Sequence, residues 1–156
     1  MTPTSSELCY LTISQAAPLL RERQLSPVEL TEAFLQRIAA VDGQLRAFVT
    51  FLPERALEQA RQAESEIHNG GYRGPLHGIP IGLKDLYYTR GVATTAGSII
   101  LADFVPKEDA TSVALLRNAG GIILGKLNMH PFAYGALGTN PHYQTPRNPW
   151  DTECLP

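Results

Sequence analysis

Cysteine is nearly absent from these 156 residues, with Cys9 and Cys154 at opposite ends of the sequence. Two thiols so placed make neither a disulfide framework nor a metal site, so a reducing cytosol is the expected compartment. Basic excess is missing too, since 13 Lys and Arg face 15 Asp and Glu for a net charge of -2. No basic block or stripe marks a nucleic-acid partner. No apolar run approaches the ~20 residues that cross a bilayer. Residues 1–10 also lack the positive start and apolar core of a secretory signal. Repeats and low-complexity tracts are lacking as well.

What remains is an ordinary globular composition, 44% apolar and 18% charged. The length suits a single domain that buries roughly 70% of the surface its unfolded chain exposes. The 13 Gly and 12 Pro fall mostly after Gly70. That shift divides the domain into a helical part, 1–70, and a loop-rich α/β part, 71–156, where sites tend to sit.

Ser26-Pro27-Val28-Glu29 reads as a helix start: Ser26 caps, Pro27 needs no N–H partner, and Glu29 can reach back to the cap. Leu30, Phe34, Ile38 and Val41 then form one apolar stripe, and Asp42-Gly43 is expected to end the helix with a left-handed glycine. Ala47-Phe48-Val49-Thr50-Phe51 is short and apolar, either a strand or an extended linker. Pro53 opens another helix, with Ala56, Ala60, Ala63 and Ile67 on one side and Asn69-Gly70-Gly71 at its end. An earlier helix over 14–23 requires Pro18 in its first turn.

In the second half, Ile79, Ile81 and Leu83 alternate with Pro80, Gly82 and Lys84, the period of a strand. Asp109-Ala110-Thr111 can cap a helix that buries Val113, Leu116 and Ala119. Gly121-Ile122-Ile123-Leu124-Gly125 reads as a wholly buried strand. Strand, helix, apolar strand is the order of a parallel α/β layer. Residues 135–156 carry four prolines and no periodicity. Such a tail belongs to a site or to something that follows it, so the domain is expected to be truncated.

Lys84 is the chemical candidate. Its same-face neighbours on the strand, Gly82 and Pro80, are small, and Asp85 points to the opposite face. A lysine without a built-in carboxylate partner invites burial, which disfavours its charged form, and a neutral amine near pH 7 is a general base. A lysine at a strand end with its head in solvent is the competing reading.

Gly74-Pro75-Leu76-His77-Gly78-Ile79-Pro80-Ile81-Gly82-Leu83-Lys84-Asp85 resembles the lysine segment of the amidase signature family. Thr94-Thr95-Ala96-Gly97-Ser98, Asp109-Ala110-Thr111, Gly125-Lys126-Leu127-Asn128-Met129 and Arg147-Asn148-Pro149-Trp150-Asp151 follow in that family's order and spacing. Ser26-Pro27-Val28-Glu29-Leu30 and Ala47-Phe48-Val49-Thr50 resemble its leading helices. The resemblance implies the N-terminal portion of an amidase-signature α/β fold, with helices covering a mixed, largely parallel sheet. It implies hydrolysis of a carboxamide C–N bond by two serines, one with a cis peptide, and a neutral lysine at Lys84, without metal or organic cofactor. Met129 would border the substrate pocket. Both serines and the oxyanion donors would come from a Gly-Ser-rich loop after the Asn-Pro-Trp-Asp segment, so these residues alone are expected to be inactive. A small-molecule amide is the implied substrate. The implied alternative is the glutaminase component of a tRNA-dependent amidotransferase, with partner subunits. A non-catalytic truncated product is the reading from another class, expected to aggregate through its uncovered sheet.

Two departures from the family pattern stand out. Pro131 occupies a position where many relatives have an acidic residue, and Cys154 one where a polar residue is common. Ser98 reads as a turn hydroxyl, and His77, His130 and His142 lack metal-ligand spacing. Gly120-Gly121-Ile122-Ile123-Leu124-Gly125-Lys126-Leu127 fits a phosphate loop formally. However, Leu127 stands where Ser or Thr would hold magnesium, and Ile-Ile-Leu favours a buried strand over exposed amides.

Overall fold

Thr12 starts the first long helix by accepting the Gln15 amide, while the Gln15 side chain accepts the Thr12 N–H, a closed capping box. The computed structural model describes residues 5–156, with a short helix α1 (Ser5–Leu8) ahead of α2 (Ile13–Arg21). The helix expected over 14–23 is present, but Pro18 lies inside α2 beyond its first turn, which corrects its expected place in that turn. Helix α3 (Pro27–Leu45) begins as its sequence requires, with Ser26 Oγ accepting the Val28 and Glu29 amides. The same hydroxyl donates to Glu64 Oε1.

Helix α3 does not stop at Gly43. It runs to Leu45, and the left-handed residue is Arg46, at φ 56°. Asp42 secures this end twice, its carbonyl accepting the Arg46 amide and its Oδ1 the Ala47 amide. Capping by the aspartate side chain moves the terminus past the glycine. Helix α4 (Pro53–His68) buries Ala56, Ala60, Ala63 and Ile67, the expected face, and ends at Asn69 with Gly70 at φ 81°.

Chain contacts divide the structure into two compact units. The first combines the described residues up to Ala40 with Leu52–Ile81 and Leu115–Leu124, and the second combines Val41–Phe51, Gly82–Ala114 and Gly125–Pro156. The first unit has its core at Leu8, Ala16, Leu20, Leu25, Leu30, Ala33 and Ile79, with Phe34 and Ile81 against it. The α3 stripe is therefore buried at Leu30 and only half-buried at Phe34, Ile38 and Val41.

Strands β1 (Phe48–Phe51), β2 (Pro80–Lys84) and β3 (Ile122–Leu127) form one sheet in the order β1-β3-β2. Strand β1 pairs antiparallel to β3, with Phe48 opposite Leu127 and Phe51 opposite Gly125. Strand β2 runs parallel to β3, since its bonds advance together from Gly78 N–H to Gly120 C=O and from Asp85 N–H to Leu127 C=O. The sheet is mixed, and α5 (Thr111–Asn118) supplies the strand–helix–strand order read in the sequence. Ala47-Phe48-Val49-Thr50, likened above to a leading helix, is strand from Phe48 on, because its backbone pairs with β3. Central position explains why β3 is buried from Ile122 through Lys126. Among the described residues no helix is long and apolar enough to cross a membrane.

Candidate functional site

Strand β2 alternates as its sequence implies, with Leu83 buried and Gly82 and Lys84 exposed on the other face. The space expected over Gly82 is occupied: a Cβ there would lie 3.0–3.1 Å from the branch atoms of Leu127. Lys84 is exposed, so the burial expected from its small neighbours is not met in these residues. Its side chain does border a cavity of about 400 Å³, along with Leu127, Met129, Ala133, Pro146 and Pro156. The two sequence candidates, Lys84 and Met129, therefore share one cavity, and Pro156 of the terminal segment stands on its wall.

Met129 is buried and held by neighbours that sequence reasoning passed over. Its amide donates to Asn128 Oδ1, and Asn128 Nδ2 donates to the Arg46, Tyr143 and Gln144 carbonyls. Asn140, also buried, donates from Nδ2 to the Gly97 and Met129 carbonyls at 2.9 Å each, while its Oδ1 accepts the His142 and Tyr143 amides. Gly97 admits this approach, because a Cβ there would sit 2.8 Å from the Met129 carbonyl and 2.9 Å from Asn140 Nδ2. The tail lacks periodicity because its order comes from asparagine side chains bonding backbone, an arrangement that leaves no hydrophobic pattern.

Behind the strand end lies a fully buried ion pair. Asp85 points away from Lys84, as the alternation implies, and its Oδ1 stands 3.3 Å from Lys126 Nζ, both side chains having no exposure. Asp85 Oδ2 accepts the Thr95 amide and hydroxyl. Lys126 Nζ donates to the Tyr87 carbonyl at 2.8 Å and Thr94 Oγ1 at 2.7 Å. Burial pushes the Lys126 ammonium below the ordinary lysine value, and the Asp85 carboxylate opposes that shift. One signal for this pair was legible: a lysine inside the apolar run Ile122-Ile123-Leu124-Gly125-Lys126 needs a buried carboxylate.

The remaining candidates take structural roles. Ser98 Oγ accepts the Ile100 amide at the start of a single 3-10 turn, Ile99–Leu101. His77 is buried, with Nδ1 accepting the Arg73 amide and Nε2 lying 3.1 Å from Glu66 Oε2. His130 Nδ1 accepts the Gly135 amide. Pro131 opens a 3-10 turn, Pro131–Ala133, and Cys154 Sγ lies 3.4 Å from Asp151 Oδ2 at the surface. The formal phosphate-loop stretch is the buried strand β3, with no exposed amide cradle.

Comparison with known proteins agrees with this architecture. A family model described as Amidase matches residues 29–156. AmiD of Mycobacterium bovis (strain ATCC BAA-935 / AF2122/97), which its name ranks with amidases, is 50% identical over 141 residues, 90% of this chain and 29% of that protein. A glutamyl-tRNA(Gln) amidotransferase subunit of Geobacter sp. (strain M21) is 45% identical over 150 residues, 96% of this chain and 31% of that protein. The native peptide amidase of Stenotrophomonas maltophilia superposes with a TM-score of 0.84 at 36% identity, covering 92% of this chain and 31% of that one. The chain spans about a third of the relatives it matches. On both sequence and fold, it belongs to the amidase signature family.

Proposed function

We propose that these residues form the lysine-bearing part of an enzyme that hydrolyses a carboxamide C–N bond, with Lys84 as the base. The observation that carries this is the shared cavity: Lys84 and Met129 face one space, and the terminal segment arrives there at Pro156. A serine hydroxyl attacking an amide carbon must lose its proton. A second serine relays that proton to a neutral Lys84 Nζ, and the lysine returns it to the departing amine as the C–N bond breaks. Water then cleaves the ester, releasing the acid and restoring the serine. Neither a metal nor an organic cofactor enters this chemistry.

Lys84 needs a dry environment to be neutral near pH 7, and in these residues it is exposed. The reading therefore requires further polypeptide, carrying both serines, to close over the amine. In this reading the two relay serines lie outside these 156 residues, which are expected to show no turnover by themselves. The 45% identity to an amidotransferase component supports glutaminase chemistry, with partner subunits, as the second reading.

The test extends the coding sequence past Pro156 in whichever frame yields a Gly-Ser-rich loop, then assays ammonia release. Carboxamides and glutamine serve as parallel substrates, and their ratio separates the two readings. Lys84→Ala is expected to lower kcat by at least ~10²-fold, and Met129→Ala to act mainly on KM. Full turnover by Lys84→Ala, or turnover by the 156-residue chain alone, would overturn the assignment.

A further inference from the structure

Lys126 belongs to a motif that the proposed chemistry leaves unused, yet among the described residues it is the largest fully buried side chain. A lysine with no exposure in a central strand costs desolvation unless its charge and all its donors are met. Two donors meet the Tyr87 carbonyl and Thr94 Oγ1, and the charge meets Asp85. Asp85 Oδ1 has no aligned hydrogen-bond donor, so the ammonium 3.3 Å away is what compensates it.

These contacts converge on the backbone that carries Lys84. The Tyr87 amide donates to the Lys84 carbonyl, closing a turn at the end of β2. The Tyr87 carbonyl, on the other side of that turn, accepts from Lys126 Nζ. Asp85 donates its amide to Leu127 and accepts the Ala96 amide at its carbonyl, while its carboxylate accepts the Thr95 amide. Residues 84–87 are thus tied to β3 by a backbone bond and the Lys126 ammonium, and to 94–96 by a backbone bond and the Asp85 carboxylate.

We propose that Lys126 is a positioning residue: through Asp85, Thr94 and the Tyr87 carbonyl it holds the 84–96 segment so that Lys84 faces the cavity. Ordering the segment is independent of any reaction, and its catalytic consequence rests on the reading of Lys84 as the base. The strut lies on the face of β2 opposite Lys84, so it fixes the backbone that carries the amine without touching the amine.

Residue-resolved hydrogen exchange on the 156-residue chain tests the ordering directly. In Lys126→Met the Tyr87, Thr95 and Ala96 amides should exchange at least ~10-fold faster, while the Ala56 amide inside α4 keeps its rate. Unchanged exchange at these three amides, or equal acceleration at Ala56, would overturn the proposal. Should Lys126→Met fail to fold, Thr94→Val decides: it removes one acceptor without stranding a charge, and the same amides should quicken by a smaller factor. An absence of local change in Thr94→Val would then refute the strut.

In the extended, active enzyme, Lys126→Met should lower kcat at unchanged KM. Turnover retained by Lys84→Ala would remove the catalytic consequence and leave the exchange result standing, so the two failures are distinguishable.

Discussion

Replacing Gly43 by alanine separates two accounts of where α3 ends. If Gly43 closed the helix in a left-handed conformation, alanine would destabilise the fold by about 1 kcal/mol, the cost of Cβ at positive φ. In the structure Gly43 lies within Pro27–Leu45, is not among the positive-φ glycines, and a Cβ there would meet nothing within 4 Å. Alanine should then stabilise by about 0.5–1 kcal/mol, the lower end being expected two residues from the helix terminus. With a urea dependence of about 2 kcal/mol/M, this is a rise of roughly 0.3 M in the unfolding midpoint. Arg46, at φ 56°, is the reciprocal position, where Arg46→Gly should gain about 0.5 kcal/mol by relieving the left-handed strain. Equilibrium urea unfolding of both variants gives the answer. A lower midpoint for Gly43→Ala would place the terminus at the glycine and refute the account of Asp42 as the capping group.

Gly125→Ala should break the β1–β3 pairing, because a Cβ there would lie 2.2 Å from the Thr50 carbonyl, and backbone cannot rotate away. A loss of about 3 kcal/mol or more is expected. Exchange protection that survives the change at the Leu52 amide, which donates to the Leu124 carbonyl, would contradict this. Acid should also weaken the first unit through His77 and Glu66. Burial holds His77 below the ordinary histidine value of about 6.5, against the pull of Glu66, and the nearby Arg73 charge lowers it further. The folded state therefore binds fewer protons than the unfolded one, so stability is complete above pH ~6.5 and declines as pH falls. Burial alone would raise Glu66, but the Gln62 amide, Arg73 and His77 hold it low, so its contribution is lost at still lower pH. A urea midpoint that stays flat between about pH 7 and 5 would refute the account, and His77→Gln should remove the upper part of the decline.

Much of the chain was legible from local chemistry. Helix α4 followed from four small or apolar residues on one side, and the start of α3 from Ser26-Pro27, because both depend on neighbours within a turn. The burial of β3 followed from an apolar run too continuous for an edge strand. The family resemblance likewise rested on ordered segments, and the matched residues 29–156 agree with it.

Three things needed the third dimension. The antiparallel partner of β3 comes from residues 48–51, far earlier in the chain, and no local pattern chooses between strand and linker there. The room that the sequence leaves over Gly82 is taken by Leu127 of the neighbouring strand, and Lys84 is exposed. The pairing of Asp85 with Lys126 instead of with Lys84 follows from alternation combined with a parallel neighbour. Covalent sequence specifies which groups must be buried or bonded, through their hydration cost and the periods of helix and strand. Which distant group meets that demand is decided only when the strands are side by side.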